Sequence, residues 1–161
     1  MKEENSLEAI KEVFTEYLIQ KKHRKTPERY AILECIYRHE GHFNAELLFN
    51  LMPKEYRVSL ATVYNTLELL QESHLIVKHQ FGEQVAQYEK TFGNNIHHHL
   101  VCTKCGKIKE FSDKQIRTMI QNKKFVHFDT FRYSLYLYGL CSKCKANQNK
   151  MNKLQIDRHL V

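Results

Sequence analysis

The chain has 161 residues, enough for one domain of ordinary size or two small ones. Its formal net charge is +7, but residues 1–90 carry 12 Lys or Arg against 14 Asp or Glu, whereas residues 91–161 carry 13 against 4. The basic excess lies in the cysteine-bearing half, where it can offset the negative charge of thiolates. The total charge by itself is therefore no evidence for or against a nucleic-acid partner.

The first residues, MKEENSLEAIKEVF, mix acidic and basic side chains and contain no long apolar run. We therefore predict neither a signal peptide nor a membrane segment, and we expect a cytoplasmic protein. From Leu7 to Gln20 apolar residues recur every three or four positions, which predicts an amphipathic first helix.

A basic cluster, KKHRK at residues 21–25, follows this helix. It is either a solvated connector or a contact to phosphates. Thr26 as N-cap and Pro27 as the first helical residue predict a second helix, which Gly41 ends. Cys35 lies among apolar residues of this helix, so we predict a core thiol and not a metal ligand.

Two more helices are predicted, capped by Asn44 and by Ser59. The second of them, LATVYNTLELLQES, has one apolar stripe, with its acidic residues late in the sequence. Off the stripe, in the first two turns, lie Ala61, Thr62, Tyr64 and Asn65. Uncharged polar residues at the start of a helix and acidic residues near its end are typical of a recognition helix whose N-terminal end enters a major groove, although an ordinary surface helix also fits.

The next segment predicts a β-hairpin, with LIVKHQF (75–81) and QVAQYEK (84–90) joined by Gly82-Glu83. Helices followed by a hairpin indicate a winged helix-turn-helix. Beyond residue 95 the predicted strands are HHHLVC, KIKEF and YSLYLYGLC, with a helix capped by Ser112 or Asp113 before the last of them.

These patterns predict an α+β fold with two domains and a tail. Residues 1–92 are expected to form the winged-helix domain, and residues 93–145 a small α/β domain with an antiparallel sheet. Residues 146–161 are polar and are expected to form a flexible tail.

The pairs Cys102-x-x-Cys105 and Cys141-x-x-Cys144 are the strongest motif in the chain. In a reducing compartment they favour a metal over disulfides, and two matched pairs fit one tetrahedral zinc better than a redox dithiol. Gly106 suits the left-handed backbone that such a turn requires. With four protein ligands this site would be structural and closed to substrate.

Three consecutive histidines precede the first cysteine pair. In a β-strand, side chains alternate between faces, so His97 and His99 point one way and His98 the other. Cys102 lies an odd number of residues from His99 and should face away from that pair. The cysteines and the paired histidines are therefore predicted to serve different ions.

Glu89 and Glu110 each end a neighbouring predicted strand and are candidate carboxylate ligands for the histidine site. A set of imidazoles and carboxylates suits iron, manganese, zinc, cobalt or nickel. The alternative is a row of exposed polar residues that binds nothing.

Together these segments resemble the ferric uptake regulator (Fur) family of metal-dependent repressors, over roughly residues 20–145. The matching stretches are TPERYAIL, GHFNAELL, SLATVYNTL, HHHLVCTKCGK, EFSD and SLYLYGLCSKC. The resemblance implies a homodimer with an N-terminal winged-helix DNA-binding domain and a C-terminal dimerisation domain.

The resemblance also implies ligands and contacts. Structural zinc falls on Cys102, Cys105, Cys141 and Cys144. A regulatory site between the domains falls on His42, Glu89, His97 and His99, with Glu110 as a candidate fifth ligand. Candidate DNA contacts are Arg24, Lys25, Ser59, Thr62, Tyr64 and Asn65.

Departures from the family pattern bear on the signal that is sensed. Asn65 resembles the peroxide-sensing PerR branch, whereas Glu89 and Glu110 resemble Fur, because PerR typically has aspartate there. The zinc-sensing branch usually recruits an extra cysteine, and here the only spare one is Cys35. A third metal site found in many Fur proteins is expected to be absent, because its positions hold Ile96, His98, Arg117 and Tyr133.

The resulting prediction is a dimeric repressor that binds an AT-rich palindromic operator when a divalent metal, in the first instance ferrous iron, occupies the regulatory site. The closest alternative is a PerR-like sensor in which bound iron promotes histidine oxidation. A metalloenzyme that uses His97, His99 and a carboxylate to activate water, and a zinc-stabilised interaction module, are the alternatives from other classes.

Overall fold

A computed structural model describes residues 2–80, 85–93, 96–130 and 132–148. The chain forms two compact units that divide between residues 94 and 95. The helices are α1 (Lys2–Gln20), α2 (Pro27–Arg38), α3 (Ala45–Leu51), α4 (Leu60–Glu72) and α5 (Lys114–Gln121), with a 3-10 turn at Lys54–Tyr56. The strands are β1 (Ile76–His79), β2 (Gln87–Lys90), β3 (His98–Cys102), β4 (Ile108–Phe111) and β5 (Tyr136–Gly139). The predicted α+β class is confirmed.

The first unit is a helical bundle followed by a two-stranded wing. Its core is drawn from α1 to α4 and both strands, and includes Phe14, Leu18, Ile32, Leu33, Ile36, Phe43, Leu48, Leu67, Leu70 and Ile76. Lys11 on α1 forms an ion pair with Glu34 on α2, with Nζ and Oε1 2.9 Å apart. The second helix ends at Arg38, before Gly41, because the backbone of His39 is extended, although its N–H still donates to the carbonyl of Cys35.

Local capping starts the predicted helices α3 and α4. The Asn44 side chain accepts a hydrogen bond from the N–H of Leu47 at 2.8 Å, and Ser59 Oγ accepts one from the N–H of Thr62 at 3.1 Å. These bonds satisfy N–H groups that have no partner within the first turn of a helix. Thr26 also precedes a helix, but its side chain makes no capping bond.

The predicted apolar stripe of α4 consists of Leu60, Val63, Leu67 and Leu70, and the buried face differs from it at three positions, one of which is the additionally buried Leu69. Val63, Leu67 and Leu70 are buried as expected, but Leu60 in the first turn is 36% exposed. Thr66 is fully buried, since its hydroxyl donates to the carbonyl of Thr62 at 2.8 Å and so brings no unsatisfied polar atom into the core.

The wing is an antiparallel pair in which β1 lies beside β2. Phe43 forms a further antiparallel bridge to Tyr88 on β2, with reciprocal backbone hydrogen bonds of 2.9 and 2.7 Å. The segment after α2 therefore extends the wing, and β2 lies in its middle. The predicted Gly82-Glu83 junction lies outside the described residues.

The second unit contains a three-stranded sheet in the order β4-β3-β5. The β3–β4 pair is antiparallel, but β3 and β5 are parallel, so the sheet is mixed and not wholly antiparallel. A parallel neighbour needs a crossover connection, and α5, which begins at the capping residue Asp113, lies within that connection.

A second helical segment, residues 142–148, follows β5. Residues 149–161, which make up most of the predicted tail, lie outside the described part of the chain. None of the helices formed by the described residues is long and apolar enough to cross a membrane.

Candidate metal centres and nucleic-acid interface

The four cysteines of the paired motif converge in the second unit. Their Sγ atoms all lie within 4.8 Å of one another, and those of Cys105 and Cys141 are 3.8 Å apart. Cys102 and Cys144 are buried, whereas Cys105 is exposed. Four sulphurs so grouped form a donor set that suits tetrahedral zinc.

Local backbone structure brings each pair together. Gly106 has a φ of +70°, and its N–H donates to the carbonyl of Cys102 at 2.8 Å, which closes the first turn. The left-handed conformation predicted for this glycine is confirmed. The second pair lies where β5 leads into the helical segment 142–148, and the N–H of Lys145 donates to the carbonyl of Cys141 at 2.9 Å.

Hydrogen bonds set the proton affinities of these thiols. Backbone N–H groups, first that of Cys141 and then that of Cys105, lower the pKa of Cys102 to about 6. Contacts with the thiols of Cys105 and Cys141 raise the pKa of Cys144 to about 12. Sulphurs this close cannot all ionise without a cation, so the arrangement suits a positive ion.

Cys35 lies apart from this group, as predicted. Its side chain packs against the core of the first unit, and burial raises the pKa of its thiol. A neutral thiol in such surroundings is a poor metal ligand and a poor nucleophile.

A cluster of two histidines and one carboxylate lies on the wing of the first unit. Glu89 Oε2 is 3.4 Å from His42 Nε2, and Glu89 Oε1 is 3.0 Å from His79 Nε2. The imidazole rings of His42 and His79 are 5.6 Å apart between centroids. The two ligands predicted in this unit, His42 and Glu89, are therefore in contact with each other.

The strands of the wing bring these three side chains together. Glu89 lies on the middle strand, His79 on β1, and His42 directly before the Phe43 bridge to β2. His79 did not figure among the residues predicted from the sequence. The sequence carried no distinctive signal for it, because its neighbours in the run LIVKHQF are also polar.

The paired histidines lie at the start of β3 in the second unit. The rings of His97 and His99 are 4.9 Å apart, and Glu110 lies directly opposite His99 in the strand register. His98 is buried and instead contacts the rings of Phe111 and Tyr133. These contacts match the alternation predicted for the three histidines.

The N-terminal end of α4 carries an exposed polar surface. Tyr64 is 42% exposed, Asn65 is also exposed, and Thr62 is partly so. Beside this surface lies an open cleft of about 380 Å³, which joins the basic segment to the helix. Its lining residues are Lys22, His23, Arg24, Thr26, Arg29, Thr62, Asn65 and Thr66.

Lys25 is exposed in the same basic segment, and Ser59 lies at the N-cap of α4. All the residues predicted to contact DNA therefore belong to the first unit. They lie in the basic segment before α2 or at the N-terminal end of α4. Arg29 was not predicted, but it lines the cleft and donates to the carbonyl of Arg24.

A winged-helix unit followed by a four-cysteine unit with paired histidines defines a class of metal-responsive DNA-binding regulators. The chain matches the ferric uptake regulator family over residues 20–138. It is 30% identical over 128 residues to the peroxide-responsive repressor PerR of Staphylococcus epidermidis, covering 78% of this chain and 84% of that protein. It is 32% identical over 155 residues to the ferric uptake regulation protein of Bacillus subtilis, covering 91% of this chain and 99% of that protein.

Solved structures agree with this match. The ferric uptake regulator of Pseudomonas aeruginosa with manganese superposes with a TM-score of 0.64 at 27% identity, covering 80% of this chain and 97% of that one. The chain belongs to the ferric uptake regulator family of metal-dependent transcriptional regulators. Members of this family are DNA-binding dimeric regulators and, in general, not enzymes.

Proposed function

We propose that the protein is a cytoplasmic, homodimeric repressor whose affinity for an AT-rich palindromic operator rises when a divalent metal binds. The regulatory ligands are His42 and Glu89 from the first unit and His97 and His99 from the second, with Glu110 as a fifth. Ferrous iron is the first expectation for the ion, and manganese or zinc are the alternatives.

The observation that carries this proposal is the buried Glu89, whose two carboxylate oxygens each face an imidazole on the wing of the DNA-binding unit. Burying a carboxylate is costly unless it is paired or binds a metal. A second imidazole pair, His97 and His99, supplies the same donor chemistry in the other unit. Imidazole with carboxylate is a donor set that first-row divalent metals accept.

The cysteine cluster has a separate, structural role in this proposal. Cys102, Cys105, Cys141 and Cys144 hold one zinc ion and leave no open position for a substrate. Few apolar residues are buried among the described residues of this unit, namely Val101, Cys102 and Cys144. A metal therefore supplies stability that a small core does not.

The DNA interface is the N-terminal half of α4 together with the basic segment before α2. Tyr64, Asn65 and Thr62 are available to base edges in the major groove, and Ser59 lies at the helix start, where backbone N–H groups favour a phosphate. Arg24 and Lys25 are exposed for phosphate or minor-groove contact. The acidic Glu68 and Glu72 come later in the helix, away from this end.

The second unit provides the dimer surface in this proposal. Large apolar side chains are exposed on and around its sheet, among them Leu100, Leu137, Tyr138 and Leu140. Every residue of α5 is described and none is buried, although Ile116, Met119 and Ile120 lie on that helix. Exposed apolar surface of this extent is typical of a protein interface.

Metal binding would control DNA binding through the arrangement of the two units. One ion that takes ligands from both units favours the arrangement in which those ligands meet. That arrangement sets the distance between the two recognition helices of a dimer, which must match the half-site spacing of B-DNA. A coupling free energy of about 1 to 3 kcal/mol changes DNA affinity roughly 5- to 150-fold.

The test is an anaerobic titration of the zinc-loaded protein with iron, manganese and zinc. DNA is first selected from a randomised duplex pool with manganese present, and the affinity of the enriched duplex is then measured at each metal concentration. We expect an AT-rich palindrome and a metal-dependent gain in affinity that His99→Ala abolishes. Tyr64→Ala should weaken binding at every metal concentration, because it removes a DNA contact and leaves the metal ligands intact. An affinity that never changes with metal would contradict the proposal.

A second candidate is a PerR-like peroxide sensor, which the similarity to a PerR protein and the presence of Asn65 favour. Its test is brief peroxide treatment of the iron-loaded protein, followed by mass analysis of the peptides carrying His42 and His97. A gain of one oxygen together with DNA release would select this function. Peroxide-resistant, metal-dependent binding would select the Fur-like one, which Glu89 and Glu110 favour.

A further inference from the structure

His79 is a buried histidine whose partner is the candidate ligand Glu89. Its side chain is 1% exposed, and its Nε2 lies 3.0 Å from Glu89 Oε1. An imidazole nitrogen this close to a carboxylate oxygen is in polar contact with it. The other carboxylate oxygen, Oε2, lies 3.4 Å from His42 Nε2.

Strand register fixes this contact. Val77 lies opposite Glu89 and His79 lies opposite Gln87, so His79 and Glu89 are diagonal neighbours of the β1–β2 pair. Long side chains on one face of a sheet reach each other across such a diagonal. The contact is thus built into the wing and needs no contribution from the second unit.

Thr66, which is also a buried polar side chain among the described residues of this unit, makes a different kind of contact. The hydroxyl of Thr66 bonds within its own helix, to the carbonyl of Thr62, and so only satisfies itself. His79 instead contacts a carboxylate on a neighbouring strand. That carboxylate is the one that the proposed regulatory ion uses.

We propose that His79 is a positioning residue for the regulatory metal. By holding Oε1, it turns Oε2 of Glu89 towards the ion that His42 also binds, before the ion arrives. This inference rests on the proposed function of the site. Loss of the outer partner that contacts a metal ligand typically lowers metal affinity about 10- to 100-fold.

The test compares His79→Leu with His79→Gln in the full-length, zinc-loaded protein. Cobalt(II) is the probe, because its visible absorption bands report the number and type of its ligands. Its dissociation constant is measured by competition with a chelator of known affinity. We expect His79→Leu to bind cobalt about 10- to 100-fold more weakly. The glutamine amide can donate in place of Nε2–H, so His79→Gln should stay within about threefold of the parent. At saturation, both variants should give the parent spectrum.

The matched control is His127→Asn, which removes an exposed histidine from the second unit. His127 has a φ of +57°, a conformation that asparagine also tolerates. Zinc content and the thermal transition of each variant establish that the fold is retained. If His79→Leu fails this check, His79→Phe replaces it, because phenylalanine keeps an aromatic ring but has no N–H group, and it should bind cobalt as weakly as expected for His79→Leu.

Three results would overturn the inference. Parent affinity in His79→Leu would show that the contact with Glu89 does not assist binding. Equal weakening in both variants would show that the ring acts by packing alone. An altered cobalt spectrum in His79→Gln would make His79 a ligand itself. Failure of the proposed function looks different: the parent would bind cobalt without any change in DNA affinity.

Discussion

Tyr37 is a single residue whose hydroxyl links the second helix to the start of the wing. Its Oη donates to the carbonyl of Leu75 at 2.7 Å, just before β1. Burial raises the pKa of Tyr37 to about 12, because the phenolate would lose hydration there. The neutral form is therefore part of the folded state.

This pKa shift predicts a loss of stability at alkaline pH. Because the folded-state pKa lies above the unfolded value, the contribution of Tyr37 is complete below about pH 10 and declines as pH rises towards 12. Tyr37→Phe should lose about 0.5 to 1.5 kcal/mol at pH 7, where the hydrogen bond is missing. Urea unfolding at pH 7 and pH 11 should show a smaller pH-dependent loss in Tyr37→Phe than in the parent. Equal losses in the two proteins would refute this account.

At the level of elements, short-range signals predicted where the helices begin. Asn44 and Ser59 were predicted as caps, and Asp113 was one of two candidates with Ser112; all three of Asn44, Ser59 and Asp113 accept a backbone hydrogen bond in the structure. Caps depend on residues at most three apart, so the sequence contains all the information they need. The strands were located correctly but are shorter than predicted, since pairing partners set their ends.

The cap of the recognition helix gives a prediction about stability. Ser59→Ala should lower the free energy of unfolding of the first unit by about 1 kcal/mol, because the N–H of Thr62 loses its acceptor. Ser59→Asp retains an acceptor at this position and should keep most of the parent stability. Denaturant unfolding monitored by circular dichroism measures both. A destabilisation of Ser59→Asp equal to that of Ser59→Ala would argue against a capping role.

The cysteine turns give a second prediction at this scale. Cys105→Ala should lose the zinc ion and lower the thermal stability of the second unit, because three thiolates leave the tetrahedral set incomplete. Cys35→Ala is the matched control, since Cys35 packs in the core of the first unit. It should keep one zinc per chain by elemental analysis. Zinc lost in the control, or retained in Cys105→Ala, would contradict the assignment.

On the scale of the whole molecule, the two units are stabilised in different ways. The first has a continuous apolar core shared by four helices and two strands. The second buries few apolar side chains among its described residues and leaves many exposed. We therefore expect it to depend on zinc and on a partner copy.

The proposed dimer predicts the effect of a charge on the sheet of the second unit. Leu137 on β5 is 46% exposed, and Leu137→Arg should shift the protein from dimer to monomer in light scattering, because an interface would then bury an unpaired charge. Leu51→Arg is the control, as Leu51 is similarly exposed, at 48%, but lies in the first unit. It should remain dimeric. A dimeric Leu137→Arg would place the interface elsewhere.

Features that depend on neighbours along the chain could be predicted from the amino-acid sequence. Helix periods, caps, the left-handed Gly106 and the two cysteine pairs all follow from residues a few positions apart. The alternation of His97, His98 and His99 also follows from local geometry, and their ring contacts match it.

Tertiary structure alone decided which distant segments pair. The parallel placement of β5 beside β3, the Phe43–Tyr88 bridge and the buried Thr66 have no local signal, because each depends on packing between segments far apart in sequence. The same is true of His79, which spacing does not connect with Glu89. Only the register of β1 on β2 brings the imidazole to the carboxylate. Sequence thus identified the candidate metal ligands, and strand pairing placed His79 beside one of them, Glu89.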